Sequence, residues 1–354
     1  MRSWALATIA CIMALTPSLG HAQSKLDELI QAAKKEKPEL NYTGGPGLFG
    51  GSEAVEQLET AFNKKFGTRM KLSYTPGPNM MAIAQRLTDE NKAGAKASSD
   101  LYLGPPSGYV LLQKVGTLRK VYWSDTFPWI TPAMEISKKQ GVLVQTGVSA
   151  MTFNPKLLKP ADAPQKYEDL IDPVKSKAWA GKMAMPPYPE VYLELSLIWP
   201  KEKVLDFTRK LVALASGFVR YTDYQRLLTG EFVLMASEGD ALYDQQQAAR
   251  AGGQIDFRVG TDPALAHYYQ LGVPENSPSP NLATLFVGFM ASPEAQKIIN
   301  DLGLEASHLV PGTRVANYVK DNHIKLVGPE KFLEFYEKGG DPQFSDEITQ
   351  LLKR

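Results

Sequence analysis

LNYTGGPGLFGGSEAVEQLETAFNKKF, residues 40–66, joins a short apolar segment, a glycine-rich loop and an amphipathic segment. The first part predicts a strand over Leu40–Thr43. The helix predicted from Ser52 has four apolar residues on one face: Val55, Leu58, Phe62 and Phe66. Acidic residues open this helix and two lysines close it before Gly67, which is the polarity that the helix dipole favours. The stretch therefore predicts a strand–loop–helix unit.

The same unit recurs downstream. Strands are predicted over residues 70–74 and 100–103, and each is followed by a Pro/Gly-containing loop and a helical segment. Strands that alternate with helices predict an α/β fold with a mostly parallel sheet covered on both faces. Ligands bind such sheets at the carboxyl ends of the strands, where these loops lie.

The second half of the chain repeats the alternation. A long extended run is predicted over 141–154, strands over 182–185, 232–236 and 267–273, and a helix over 203–215. No internal sequence repeat is visible. The sequence therefore predicts a second lobe of the same α/β class.

Composition narrows the functional class. The chain has 354 residues, 44% of them hydrophobic and 22% charged. Because a domain has roughly 150 residues, a chain of this length is predicted to contain two domains. There are 39 basic and 38 acidic residues, so net charge does not favour nucleic acid as a partner.

The N-terminus predicts a secretory signal peptide. One basic residue, Arg2, precedes the apolar segment 4–15, and small residues at Gly20 and Ala22 match a cleavage site after Ala22. The apolar segment is shorter than the roughly 20 residues of a membrane span. Lipid attachment at Cys11 is the alternative. Cleavage would leave a mature chain without cysteine, which excludes thiol chemistry and Cys-based metal sites.

The segment Gly45–Gly50 matches the G-x-G-x-x-G pattern of dinucleotide-binding folds. The second predicted strand ends at Tyr74-Thr75, without the acidic residue that would hold a ribose. We therefore predict no nicotinamide cofactor. Glycines at a helix start can offer backbone N–H groups to an anionic or polar ligand, and a purely structural turn is the alternative.

Signals for catalysis or metal binding are weak. No Gly-x-Ser-x-Gly sequence occurs, and the histidines of the predicted mature chain, His267, His308 and His323, are far apart in sequence. Ser237-Glu238-Gly239-Asp240 follows a predicted buried strand. Its carboxylates could bind a cationic group or act as an acid/base pair, or Ser237 could merely cap a helix whose dipole the acids complement. Tyr188, after another strand, could stack on a ligand.

Several stretches resemble the periplasmic solute-binding proteins of ABC importers, a class that includes binders of ferric iron, thiamine, aminoethylphosphonate and polyamines. They are VEQLETAFNKKFG before MKLSY, RLTDENKAG, SSDLYLG, GVSAMTFNPKLL, YEDLIDPVKSKAWAGKMAMPP and NLATLFVGFMASPEAQKII.

The resemblance implies two α/β lobes joined by hinge crossings. It implies this division of the chain: signal peptide 1–22, first lobe 23–148, second lobe 149–272, and a return to the first lobe with C-terminal helices over 273–354. From the first lobe we expect these residues to line the cleft: Gly45, Gly47, Pro76, Gly77, Gly104 and Ser107. Facing them we expect Tyr188, Ser237, Glu238, Asp240 and Tyr243.

The function implied is capture, without catalysis or cofactor, of a small polar or zwitterionic organic solute. A monomer in the periplasm would deliver the solute to a membrane permease. Ferric iron is an alternative, although the adjacent tyrosines that bind iron in that branch are matched here by Asp240 and Ala241, with Tyr243 nearby. The tyrosine pair Tyr268-Tyr269 lies in the return crossing, and no metal role is transferred to it. An exported enzyme using Glu238 and Asp240, and a sensory binding protein that presents its lobes to a histidine kinase, also stay open.

Overall fold

The computed structural model describes residues 17–44, 52–221 and 223–353. The strands are β1 (Glu39–Gly44), β2 (Lys71–Pro76), β3 (Tyr102–Gly104), β4 (Glu135–Ile136), β5 (Gly141–Val148), β6 (Ala150–Phe153), β7 (Met183–Met185), β8 (Gly217–Phe218), β9 (Leu234–Glu238), β10 (Asp256–Arg258) and β11 (Ala266–Gly272). The α-helices are α1 (Pro17–Ala33), α2 (Ser52–Phe66), α3 (Met80–Lys92), α4 (Pro106–Gln113), α5 (Trp123–Thr126), α6 (Pro189–Leu193), α7 (Lys201–Leu214), α8 (Gln225–Leu228), α9 (Ala241–Arg250), α10 (Pro280–Met290), α11 (Pro293–Asp301), α12 (Arg314–Asp321), α13 (Pro329–Glu337) and α14 (Pro342–Leu352). The 3₁₀ helices are Pro132–Met134, Ser137–Lys139, Tyr167–Ile171, Lys175–Ala178 and Glu194–Leu197.

The first lobe is built on two sheets, β1–β2 and β3-β11-β5-β4. Asp100 joins them, because its amide donates to Asn41 O at 2.7 Å and its carboxylate accepts from Asn41 N at 2.8 Å. The core between this lobe's sheets and helices contains a cluster of edge-to-face aromatic rings: Phe62, Phe66, Phe286 and Phe289. The apolar face predicted for residues 52–66 is therefore the face that α2 buries.

The second lobe is built on one sheet of order β10-β6-β9-β7-β8. Its core includes the fully buried rings of Phe153, Trp179 and Tyr192. The pairs β7–β8 and β7–β9 are parallel, so the carboxyl ends of these three strands open at one edge of the sheet. This edge carries the candidate site described below.

The lobes are connected where the chain changes sheets. The predicted extended run 141–154 is divided at Ser149: β5 belongs to the first lobe's sheet and β6 to the second. The chain returns between β10 and β11. The crossing strands pair antiparallel with their neighbours. The sheet β3-β11-β5-β4 is therefore antiparallel throughout and the second lobe's sheet is mixed, whereas mostly parallel sheets were predicted. A strand that arrives from the other lobe has no helical crossover to make it parallel.

The C-terminal helices divide between the two cores. α10 and α11 pack in the first core through Phe286 and Ile299, whereas α13 and α14 bury Phe332, Phe344 and Ile348 in the second. The part of the predicted return that covers α13 and α14 therefore packs on the second lobe. α13 also contacts α4 of the first lobe. The lobe boundaries themselves stay a prediction.

The predicted cleavage site lies within α1, which begins at Pro17 and ends at Ala33. Apolar residues at helical spacing, Leu26, Leu29 and Ile30, predict a helix over 25–37, and the observed helix starts and ends earlier. Residues 1–16, with Cys11, lie outside the described part of the chain. In the described part, no helix is both long and apolar enough to cross a membrane.

Candidate functional site

The end of β9 is the centre of the candidate site. Glu238 is the last residue of this strand and is fully buried, and its Oε1 accepts hydrogen bonds from Gly239 N at 3.0 Å and Asp240 N at 3.3 Å. The strand extends two residues beyond the predicted 232–236, so Ser237 and Glu238 lie in it and not in a loop. Ser237 contacts Tyr167 OH at 3.2 Å. The interpretation that Ser237 caps a helix is wrong, because the N-cap of α9 is Asp240.

Four carboxyl groups meet here: Glu238, Asp240, Asp244 and Glu305. Asp244 lies close to Glu238, and Glu305 lies close to Asp240. Both carboxyl oxygens of Asp244 are buried without a hydrogen-bond partner among the described residues, as are Glu238 Oε2, Asp240 Oδ1 and Glu305 Oε2. Burial, followed by the neighbouring carboxylates, raises the pKa values of Glu238, Asp244 and Glu305 well above their usual range. No basic group is among the causes of the raised Glu238 pKa. Burial therefore favours the protonated forms of Glu238, Asp244 and Glu305.

Aromatic rings line the same edge of the sheet. Tyr188 follows β7, and its ring lies 5.1 Å from that of Tyr221, which follows β8. Tyr221 in turn packs edge-on against His267 of β11, at 5.7 Å. Burial raises the pKa of both tyrosines and lowers that of His267, so the rings stay neutral near pH 7. Aromatic faces beside carboxylates form a surface suited to ammonium groups.

Two glycines allow the Glu238–Asp240 turn to approach the crossing strands. A Cβ on Gly147 of β5 would lie 1.8 Å from Asp240 Oδ1, and one on Gly239 would lie 2.8 Å from His267 Cε1. Gly147 and His267 are register partners of β5 and β11. The turn consequently rests directly on the strands that connect the lobes.

Tyr243 and Asp240 line a small cavity of about 20 Å³ together with Gly147, Glu305 and Arg314. Burial raises the pKa of Tyr243 to about 12. The cavity has room for about one water molecule and not for an organic solute. Tyr243 is therefore placed beside the carboxyl cluster, on the side next to the hinge strands.

The first-lobe residues predicted for the site have different environments. Gly45 and Gly47 lie outside the described residues. Pro76 ends β2 and is exposed, and Gly77 N donates to Gly44 O at 3.0 Å. Gly104 is buried above Tyr102, whose hydroxyl would lie 2.2 Å from an added Cβ.

Ser107 lines a groove between the lobes. The groove has a volume of about 420 Å³ and is formed by α3 and α4 on one side and by Glu190, Leu193 and Tyr336 on the other. Beside it, Tyr336 OH donates to Glu194 Oε1 at 2.9 Å, and burial raises the pKa of Glu194 to about 8. Ser107 thus shares this groove with second-lobe residues.

The sequence interpretation missed Tyr221, Glu194 and Glu305. Tyr221 follows a strand of two residues, which is too short to leave an alternating pattern. Glu194 and Glu305 lie in a 3₁₀ helix and in the turn after α11, where nothing local distinguishes an acid that becomes buried. Among the described residues, no group of three or more His, Cys, Asp or Glu side chains has the arrangement of a metal site.

Two lobes joined by crossing strands, with polar and aromatic residues at the strand ends, define the class of two-lobed binding proteins. The sequence family described as bacterial extracellular solute-binding protein matches residues 57–316, well over half of the chain. The chain belongs to this family. The comparison with curated proteins found no match.

Solved structures of solute-binding proteins share the fold. The ABC-transporter substrate-binding protein from Agrobacterium tumefaciens has a TM-score of 0.71 at 17% identity, covering 90% of this chain and 96% of that one. Iron-bound HitA from Pseudomonas aeruginosa has a TM-score of 0.68 at 18% identity, covering 90% of this chain and 100% of that one. PotD, the spermidine/putrescine substrate-binding protein from Streptococcus pneumoniae, has a TM-score of 0.65 at 15% identity, covering 89% of this chain and 98% of that one. At these identities the likeness concerns the fold, and it spans different cargoes.

Proposed function

We propose that this protein captures a small polar or zwitterionic organic solute in the cleft between its lobes and delivers it, unaltered, to the permease of an ABC importer. The proposal includes export by the predicted signal peptide and action as a periplasmic monomer. Membership in a family of extracellular solute-binding proteins supports both the location and the transport role.

The observation that carries the ligand class is the carboxyl group of Glu238 beside two tyrosine rings. Glu238 Oε2 is buried and has no hydrogen-bond donor among the described residues, and the hydroxyl of Tyr221 is buried without a partner there as well. Leaving such groups unpaired costs about 1–3 kcal/mol each. A ligand ammonium group would supply the missing donors to Glu238 and would stack on the rings of Tyr188 and Tyr221.

A ligand carboxylate or phosphate would be met from the first lobe. The glycine-rich loop that follows β1 supports this half of the proposal, since backbone N–H groups before a helix suit an anion. A solute with an amine at one end and an acidic group at the other would satisfy both lobes at once. Closure of the lobes would then follow from binding energy, because the two ends are held by different lobes.

The test is a thermal-shift and calorimetric screen of the mature chain against amines, amino acids, aminophosphonates, carboxylates, sugar phosphates and ferric salts. We expect stoichiometric binding of an amine-containing solute with a raised Tm and no product. Glu238→Gln and Asp240→Ala should abolish the effect, whereas Glu168→Gln, on the surface of the same lobe, should leave it unchanged. Binding that survives in both site variants, or appearance of a reaction product, would contradict the proposal.

A further inference from the structure

The carboxyl groups of Asp240 and Glu305 meet between the lobes. Asp240 follows β9 of the second lobe, and Glu305 lies after α11 of the first, in a segment held to β5 by the hydrogen bond from Thr146 N to Ala306 O at 3.0 Å. Among the described residues, Asp240 Oδ1 and Glu305 Oε2 have no donor as a partner. Both carboxyl groups line the same cavity of about 20 Å³, within hydrogen-bonding reach of each other. Because ionised carboxylates only accept, a hydrogen bond between them requires a proton on one of them.

The surroundings of this pair contain more acid than base. These titratable groups face it: Glu238, Asp244, Tyr221, Tyr243, His267, Tyr269 and Arg314. The Arg314 guanidinium donates to Gln246 Oε1 at 2.8 Å, Leu242 O at 3.2 Å and Leu304 O at 3.5 Å. Its two terminal nitrogens are therefore occupied by other acceptors, whereas its Nε is buried without a partner among the described residues. Burial keeps His267 neutral, because it lowers the pKa of this side chain.

The pair lies in a continuous contact between the lobes. Gln247 Nε2 of α9 donates to Gly303 O at 3.1 Å, and the Arg250 guanidinium donates to Asp301 O at 2.8 Å. On its other side, Asp240 Oδ1 packs against Gly147 of the hinge strand β5. Movement of the second lobe relative to β5 and α11 would have to change the separation of the two carboxyl groups.

We infer that a proton shared between Asp240 and Glu305 holds the lobes in the arrangement described here, so that opening of the cleft is coupled to pH. With the proton in place the carboxyl groups attract each other. When both are ionised they repel each other at short range in a poorly solvated site, and the open arrangement becomes more populated. Applied to the proposed transport role, on which this consequence rests, solute would be retained better in acid than in alkaline medium.

The test is small-angle scattering of the mature chain without any solute, at about pH 5 and about pH 8. The wild-type radius of gyration should be larger at the higher pH. Glu305→Gln supplies an amide donor to Asp240 that does not titrate, so this variant should stay compact at both values. Asp240→Asn is the reciprocal variant, and Glu56→Gln, an exposed change of the same charge, should behave as wild type.

A wild-type radius that is the same at both pH values, or a Glu305→Gln variant that expands as wild type does, would overturn the inference. If circular dichroism shows that the two pair variants do not fold, the wild-type comparison alone decides. Because no solute is present, the outcome is independent of the ligand screen. Absence of any ligand would defeat the proposed function and leave the pH response intact.

Discussion

Tyr221 packs against His267 with ring centroids 5.7 Å apart and ring planes at 80°. Tyr221 belongs to the second lobe and His267 to the strand that returns to the first. The ring of Tyr221 therefore packs on the hinge strand, and its hydroxyl has no hydrogen-bond partner among the described residues. This ring and the buried carboxyl group of Glu238 together define the surface that we propose binds the solute.

Tyr221→Phe removes this unpartnered hydroxyl and keeps the ring. In the absence of solute we expect the free energy of unfolding to stay the same or to rise by up to about 1 kcal/mol, because an unsatisfied buried group is lost. Affinity for the solute found in the screen should fall. Urea unfolding and calorimetry measure the two effects. Tyr167→Phe is the matched control, since Tyr167 OH is bonded to Ser237 and its removal should destabilise the protein.

Glu194 should make the protein less stable as the pH rises. Its pKa in the folded chain, about 8, lies above that of an unfolded chain. The folded state therefore binds the extra proton, and this stability is complete below the unfolded pKa and is lost as the pH rises through about 8. The slope is at most about 1.4 kcal/mol per pH unit. Glu194→Gln should flatten it in urea unfolding measured over this range, and a variant as pH-dependent as wild type would contradict the assignment.

His308 should make the protein less stable as the pH falls. Burial lowers its pKa to about 4, and its Nδ1 lies 2.9 Å from Thr146 Oγ1. Below the usual histidine pKa of about 6.5 the unfolded chain binds a proton that the folded chain does not. Stability is thus lost as the pH falls towards about 4. His308→Asn, which cannot titrate, should lessen this loss of stability in urea unfolding measured at acid pH. A variant whose stability falls with pH as steeply as that of wild type would refute the prediction.

Gly147→Ala should disturb the turn that carries Asp240. The new Cβ would lie 1.8 Å from Asp240 Oδ1 and 2.5 Å from Gly239 O, so the turn or β5 must shift. We expect a destabilisation of about 1–3 kcal/mol together with weaker solute binding. Gly217→Ala is the matched control in a strand, because its Cβ would contact only the Phe232 ring at 3.5 Å. Equal effects of the two changes in thermal unfolding would show that no specific contact is involved.

Local patterns predicted the elements well. The apolar face at Leu58 and Phe62 predicted α2, and the polar turn after β9 predicted a site at a strand end. The predicted end of β9 was short by two residues, because Ser237 and Glu238 are polar and yet buried by neighbours distant in sequence. The two-residue strand β8 leaves no alternating pattern, so the sequence does not place Tyr221 at a strand end.

The chain's own sequence determined the α/β class, the order of its elements and the polar segment at Glu238–Asp240, because side-chain periodicity and turn residues act over a few neighbours. Only the tertiary structure decided that α13 and α14 pack on the second lobe and that Glu305 meets Asp240. Such contacts join residues far apart in the chain. Burial then changes the protonation of groups that are ordinary surface acids in the sequence alone.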